Sequence, residues 1–551
     1  PFFVSPIGAA SHQIDYAFQG ELANPQVSPV TESFSGAAGF KLQLPAAWLL
    51  EGYGGLGQEH IASRTTGLLN SAFLNEALGA VPDNPLTAYR AASDGYFNPF
   101  TGQPANAAAV LAFIGSGRSE TKLRNQVFSG GLQADGPLIR LPAGEVKLAV
   151  GVQARRETYA RSGVNFTSTV TPTAQQSLKA ERDMAAAYAE LNAPLVGPEN
   201  RRPGVEQLEL TAAIRAERYS DFGSTVNPKI GLIWSPLEGV RWKATYGESF
   251  RAPALTELSE AEVYTPLRLQ DVSGQVLTLA LNGGNRDLEP ETAKSWTVTL
   301  EVAPPHIPGL QASLSAFRTT FESRIDRPLF SNRLTALTDP TLAGFVQRLD
   351  PQDPADLALI TRLLADPRTL TSLGVFPPTD YRAITDFRYV NTGRLQVSGL
   401  DVQAAYARPA FGGRLTLAVN GAWLFDYKQQ VTPLAPAVEY VGQAGYPAKF
   451  RVRTSAEWTR GRLTLGGALI HTAGFTDALG AKIDAQTKVD THLRISAPET
   501  GGLAGLSLSL VVRNLFDQPP PFYDNLTGIG FDPASGDPVG RFIAVELAKR
   551  W

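Results

Sequence analysis

Hydrophobic and polar positions alternate with a period of two along most of the chain. In the last segment Ile543, Val545, Leu547 and Trp551 share one face, and Phe542, Ala544, Glu546, Ala548 and Arg550 share the other. Leu506, Leu508, Leu510 and Val512 alternate with Ser507, Ser509 and Arg513. Trp296, Val298, Leu300 and Val302 alternate with Ser295, Thr297, Thr299 and Glu301. The pattern recurs at 146–155, 207–215 and 451–458. It predicts β-strands with one apolar and one polar face. Their length, roughly ten residues or more, suits strands that cross a bilayer at barrel tilt better than those of a soluble sandwich. Trp423, Trp458 and Trp551 fall near strand ends on the apolar face, where an interfacial aromatic girdle belongs.

Connections alternate in length as well. Short turns are expected at 235–239, 304–309, 409–413 and 498–502, all rich in Gly and Pro. Long excursions are expected at 65–114, 160–204, 252–289, 331–382 and 516–539. Short turns at one end and long loops at the other are the arrangement of outer-membrane barrels. One long loop carries a helix signal: Asp353 as cap, Pro354 at the first position, and Leu357, Ile360 and Leu364 on one face. The expected fold is all-β, a transmembrane antiparallel barrel of roughly eighteen strands, as one domain over 1–551, with short helices in its extracellular loops.

Composition agrees with strands and turns: among 551 residues there are 51 Gly and 40 Pro, and only 18% are charged. A net charge of −3 gives no reason to expect a nucleic-acid partner. With no cysteine, disulfides, Cys-ligated zinc and thiol catalysis are excluded. No run approaches about eighteen apolar residues, the length of a spanning helix, which leaves a barrel open.

Enzymatic chemistry finds little support. Gly52-Tyr53-Gly54-Gly55-Leu56-Gly57 matches a dinucleotide fingerprint, but strand-like sequence follows where a helix is required. The histidines, His12, His60, His306, His471 and His492, show no ligand spacing. Glu289 and Glu291 flank Pro290 and read as a solvated turn. No catalytic, metal-binding or cofactor-binding residue is expected.

Five segments, in order, resemble motifs of the TonB-dependent outer-membrane receptor family. They are Phe250-Arg251-Ala252-Pro253 with Leu255, Glu257 and Leu258; Gly284-Asn285 with Leu288, Pro290 and Glu291; Asn391-Thr392-Gly393 with Gly399; Asn514-Leu515-Phe516-Asp517; and Gly540-Arg541-Phe542, which leads to a terminal Trp551. Asn98-Pro99-Phe100 is a looser match. The residues of these motifs read as structural: a strand ending at a proline, and Asx side chains bonding nearby backbone.

The resemblance implies about 22 strands around a plug, in the Gram-negative outer membrane. It implies import of a scarce solute bound at the extracellular loops, driven by TonB-transmitted energy. A passive porin-like channel and a barrel scaffold of a surface complex are the alternatives. The family's plug has no counterpart here, since alternation begins near residue 12. TonB is therefore expected to act through a missing N-terminal segment, with the plug on that segment or on a separate chain. Further expected partners are outer-membrane lipid, the outer-membrane insertion machinery, for which Trp551 would be the assembly signal, and an unknown small ligand. Glu209, Arg215, Arg451, Arg453 and Glu457 are expected to line a water-filled lumen. Phe73, Tyr96, Phe100, Tyr264 and Tyr381 are the loop aromatics able either to stack on a ligand or to pack the loops, and the 331–382 loop is the expected lid.

Overall fold

A computed structural model of the chain describes residues 16–550, apart from 17, 19, 101–105, 371–375, 433–434, 478–479 and 525–528. His12 and Trp551 lie outside the described residues. One sheet of nineteen strands dominates, two of them, Thr173–Ala174 and Val438–Glu439, being two-residue additions. The remaining seventeen form the wall. In chain order they are β1 (Gln26–Gln43), β2 (Leu49–Leu68), β3 (Gly117–Leu141), β4 (Gly144–Phe166), β5 (Leu178–Val196) and β6 (Gln207–Tyr219). Next come β7 (Gly223–Leu237), β8 (Val240–Arg251), β9 (Glu291–Val302), β10 (Leu310–Glu322), β11 (Arg394–Ala410) and β12 (Gly413–Gln430). The last are β13 (Phe450–Arg460), β14 (Leu463–Thr472), β15 (Gln486–Ser496), β16 (Leu506–Arg513) and β17 (Phe542–Lys549). Each pairs antiparallel with its neighbour in sequence.

Turns at one end are short. Between β11 and β12 only Phe411 and Gly412 intervene, both at positive φ (53° and 69°), the two-residue geometry whose twist matches that of the flanking strands. At the other end the connections 69–116, 252–290, 323–393 and 514–541 are long, while 220–222 is tight. The expected excursion at 160–204 is corrected. β4 continues to Phe166, β5 occupies Leu178–Val196, and only 167–177 projects at the long-loop end. β5 was inconspicuous because Ala180, Ala185, Ala186, Ala187 and Ala189 make both of its faces small, so alternation in side-chain size is muted. Gly52 to Gly57 lie within β2, as a strand reading requires. A Cβ on Gly52 would collide with the Phe40 ring, so glycine lets that ring cover the strand.

Apolar residues on one face of the wall stay exposed: Val152, Ile214, Ile230, Trp296, Val298, Leu417 and Leu508 among them. Near the long-loop end Trp423 meets Phe450 across β12 and β13, their centroids 6.2 Å apart. Eight residues nearer the short-turn end, Leu415 pairs with Trp458, whose indole donates to the Ala410 carbonyl at 3.1 Å. Eight residues span about 27 Å along a strand, or about 20 Å of membrane normal at a tilt of about 40°.

β1 and β17 are the sheet's edges, with no pairing between them among the described residues. An odd number of alternating strands makes both run the same way, so direct contact would be parallel. Antiparallel closure takes an odd number of further strands, and about five would reach the 22 of large outer-membrane transporters.

Almost all compact packing lies in the long loops. The 69–116 connection folds around Ala77, Tyr89, Phe97, Val110 and Ile114, with Phe113 stacked on both Phe73 and Tyr89. The 252–290 and 323–393 connections share a second unit. In the first, strand Val263–Asp271 pairs with Gly274–Asn282, which pairs with Tyr381–Asp386 of the second, which pairs in turn with Val346–Arg348. Helix Pro354–Leu364, capped by Asp353, packs Ile360 into this unit. The 331–382 loop expected as a lid is thus joined by β-pairing to the 252–290 connection, and the two form one body.

Candidate functional site

The rim at the long-loop end shows why the five motifs hold these residue types. Arg251, at the end of β8, pairs with Glu257 at 3.1 Å and with Glu291 at 2.9 Å. Glu257 also accepts from Ala254 N at 2.7 Å, and Glu291 from Ile325 N at 2.7 Å. A planar guanidinium has enough donors to serve both carboxylates at once. Asn391 donates to the carbonyls of Glu289 and Ser323 and accepts from Glu289 N, each at 2.8 Å. Asn285 donates to Tyr389 O at 3.0 Å. Asn514 closes a ring with Gln518, and Asp517 accepts from Arg541 N at 2.7 Å. The motifs are thus joined to one another, strand end to strand start, and act as staples for loops that leave and re-enter the sheet.

A further staple was not visible in the sequence. Arg182, on β5, is 5% exposed. It pairs with Asp221 in the tight 220–222 turn, donates to Pro253 O at 2.6 Å and stacks over Tyr219 and Phe222. Its partners lie 39 and 71 residues away in sequence, and no local pattern signals such a contact.

The polar wall residues fall into two separate groups. On β6, Glu209 accepts from Asn192 at 2.6 Å, and Arg215 donates to Gln153 at 2.9 Å, pairs with Glu217 and sits over the Tyr188 ring. On β13, Arg451, Arg453 and Glu457 lie on the strand face opposite Val452, Thr454, Ala456 and Trp458, and Glu457 meets His492 at 3.2 Å. Strands β7 to β12 separate the groups. Arg453 and Glu457 line a cavity of about 720 Å³ with Lys488, Asp490, His492 and Arg513. Arg513 was read on a polar strand face and His492 only as a histidine without ligand spacing; Lys488 and Asp490 were missed, although Lys488, Asp490, His492 and Arg494 alternate with Val489, Thr491, Leu493 and Ile495 and carry the same signal.

Of the loop aromatics, Phe73, Tyr264 and Tyr381 are buried in the loop cores, whereas Tyr96 and Phe100 are exposed. As they stand, the first three pack the loops and offer no stacking surface. The two-loop unit is tied across its parts by ions. Arg368 meets Glu262 at 2.7 Å and Asp366 at 2.9 Å, and Arg388 meets Glu262 at 2.6 Å and Asp386 at 2.8 Å. The Arg368 guanidinium and backbone N–H hold the Asp366 carboxyl down at about 2.

An antiparallel wall with exposed apolar bands, motif staples at its rim and folded loops at one end finds its counterpart among known proteins. Residues 19–515 match the family model "TonB dependent receptor-like, beta-barrel". The chain belongs to the TonB-dependent receptor family. It is accordingly an integral outer-membrane β-barrel of a family of receptors and transporters, not of enzymes. One relative, the heme/hemopexin utilization protein C of Haemophilus influenzae (strain 86-028NP), is 24% identical over 337 residues, 59% of this chain and 40% of that protein. Another, the vitamin B12 transporter BtuB of Vibrio vulnificus, is 29% identical over 181 residues, 32% of this chain and 22% of that transporter. The chain thus spans less than half the length of these receptors. The outer membrane transporter YddB of Escherichia coli shares the fold at a TM-score of 0.55 and 12% identity, over 95% of this chain and 63% of that one.

Proposed function

We propose that this TonB-dependent receptor chain forms the wall and external loops of an importer for a scarce solute. Its long-loop end faces outward and its short turns face the periplasm. The polar face, with Glu209, Arg215, Arg451, Arg453 and Glu457, lines the lumen. TonB supplies energy through a plug carried on another segment or chain, and the strands that close the gap between β1 and β17 come from the same source. The observation that carries this reading is the pair of cored loop units standing on a polar-faced wall. A passive channel has no need of two interlocked loops with their own hydrophobic centres. Capture of a ligand at a rigid rim is what such units suit.

The relatives' names point to haem, hemopexin and vitamin B12 for those proteins. For haem, an axial ligand to iron is needed from His, Cys, Met or Tyr. None of the long connections contains His, Cys or Met. A haem-binding version of this chain would depend on a loop tyrosine, with Tyr96 the exposed candidate.

Accumulation of labelled haem, cobalamin and a ferric chelate should be followed in cells making the receptor, with and without an uncoupler and with and without TonB. Uptake that saturates and vanishes in both depleted conditions is the expected result. Linear uptake indifferent to both would replace the importer with a passive channel, and no uptake at all with normal surface display would favour a scaffold.

A further inference from the structure

The 720 Å³ cavity in the wall lies where β13, β15 and β16 meet the 514–541 connection. Three cations line it, Arg453, Lys488 and Arg513, each on a different strand. Arg453 pairs with Ile470, and Ile470 with Lys488, so these two stand two strands apart in one row, roughly 10 Å between backbones. The carboxylates of the cavity are already engaged. Asp490 accepts from Asn514 N at 2.9 Å, Asp537 from Val539 N at 3.0 Å, and Glu457 meets His492 at 3.2 Å. None of the three cations has a hydrogen-bond or ion-pair partner among the described residues.

We propose that this cavity is a subsite for an anionic solute bearing two or more carboxylate- or phosphate-type groups. Formal charge across the lining balances, three cations against Glu457, Asp490 and Asp537, but each carboxylate already holds a partner while the cations keep their donors for a ligand. Two arginines supply planar forks for oxyanions and one lysine a point charge between them in strand order. The spacing of about two strands favours a solute with several anionic groups over one with a single group. The proposal deepens the importer reading and rests on it for its biological role: the subsite sits under an external loop, on the path of a solute entering the lumen.

Binding can be tested apart from transport. The purified receptor, together with the segment or chain that completes the barrel and carries the plug, is titrated in detergent by calorimetry with citrate, which carries three carboxylates, and with acetate, which carries one. Citrate should saturate a single site and acetate should not. Arg453→Gln, Lys488→Gln and Arg513→Gln should each weaken citrate about tenfold, while Lys488→Arg stays within a few-fold of the parent. Lys147→Gln with Lys229→Gln, a double change on the same face at other strands, should leave the titration unaltered. Heat-modifiable gel mobility reports whether each variant is folded. No saturable citrate binding by the folded parent, or equal loss in the control pair, overturns the subsite. Citrate binding without uncoupler-sensitive uptake in cells would retain the subsite and reject the importer; uptake without citrate binding would do the reverse.

Discussion

The wall and the loops of this receptor bury their apolar residues by opposite rules. In the wall, apolar side chains face away from the protein: Val298 is 45% exposed and Trp296 59%. In the loops, Tyr381 is 1% exposed and Leu279, Leu329 and Leu342 are fully buried. Every one of the largest fully buried side chains among the described residues lies in a long connection. The wall is held by its hydrogen-bond ladder and by the lipid around it, which satisfies apolar surface from outside. The loops stand in water and need cores of their own, as any small soluble domain does. One chain therefore contains two solvents' worth of folding logic, and a substitution should act according to the region it falls in.

The largest expected effect tests the loop side. Tyr381→Ala should cost about 3–5 kcal/mol locally, as large-to-small changes in a packed core do. The Tyr381 hydroxyl is buried with no hydrogen-bond partner among the described residues, so Tyr381→Phe should be neutral or stabilising by up to about 1–3 kcal/mol. Protease digestion of the two-loop unit reads both, with the wall's heat-resistant gel band as internal reference. If Tyr381→Ala lowers the wall's stability as much as the loop's, the two regions are not separate folding problems. Next in size is a test of the wall. Val298→Arg should cost about 2–4 kcal/mol near midplane, and Thr299→Arg much less, since the neighbour faces the polar side. Equal losses in reversible denaturation from vesicles would reverse or erase the facing assignment.

How much of this was legible depended on the same division. Wall strands repeat a period-two signal that needs no knowledge of distant residues, so β9, β13, β16 and β17 could be read directly. β5 escaped because alanines on both faces flatten that signal. The helix at Pro354–Leu364 was also legible, since Asp353, Pro354 and an apolar face within eleven residues are all local. The merging of the 252–290 and 323–393 connections was not. It rests on a parallel pairing of Leu277 to Leu281 with residues 381–386, about a hundred positions on, and parallel pairing at such separation leaves no turn signal. The cavity around Arg453 was half legible: the alternation was present on β15, but the adjacency of β13 to β15 through β14 is a property of the sheet.

A smaller effect sharpens the boundary between wall and loops. Arg251 stands at that boundary, its side chain 44% exposed. Solvent screening limits each of its ion pairs to about 0.2–1 kcal/mol. A double-mutant cycle of Arg251→Gln with Glu291→Gln should give a coupling energy in that range, read from denaturation of the rim by hydrogen exchange. A coupling of zero would leave the motif's arginine and glutamate without an energetic reason to occur together.

The smallest effect concerns acid. Asp366 accepts from Arg368 N and Nε at 2.9 and 3.0 Å, and Arg368 reaches Glu262 in the other loop. Its folded pKa of about 2 lies below the ordinary aspartate value of 3.8. A depressed carboxyl stabilises the folded form above the unfolded pKa, and that contribution fades as pH falls through the folded one. The window is therefore pH 4 to about 2, and the junction it guards is specific: Tyr264 N donates to Arg368 O at 3.0 Å, and Leu370 N to Tyr264 O at 2.9 Å. Asp271, lowered by its contact with Arg348, adds a second acid-sensitive link between the same two loops. Hydrogen exchange at Tyr264 and Leu370, corrected for the intrinsic pH dependence of the rate, should rise across this window while Val298 in the wall stays protected. Asp366→Asn at neutral pH should reproduce the loop's change, because it removes the charge that Arg368 holds. If the variant leaves Tyr264 and Leu370 as protected as before, the two loops are joined by their shared β-pairing and apolar core alone, and the ionic link is incidental to their union.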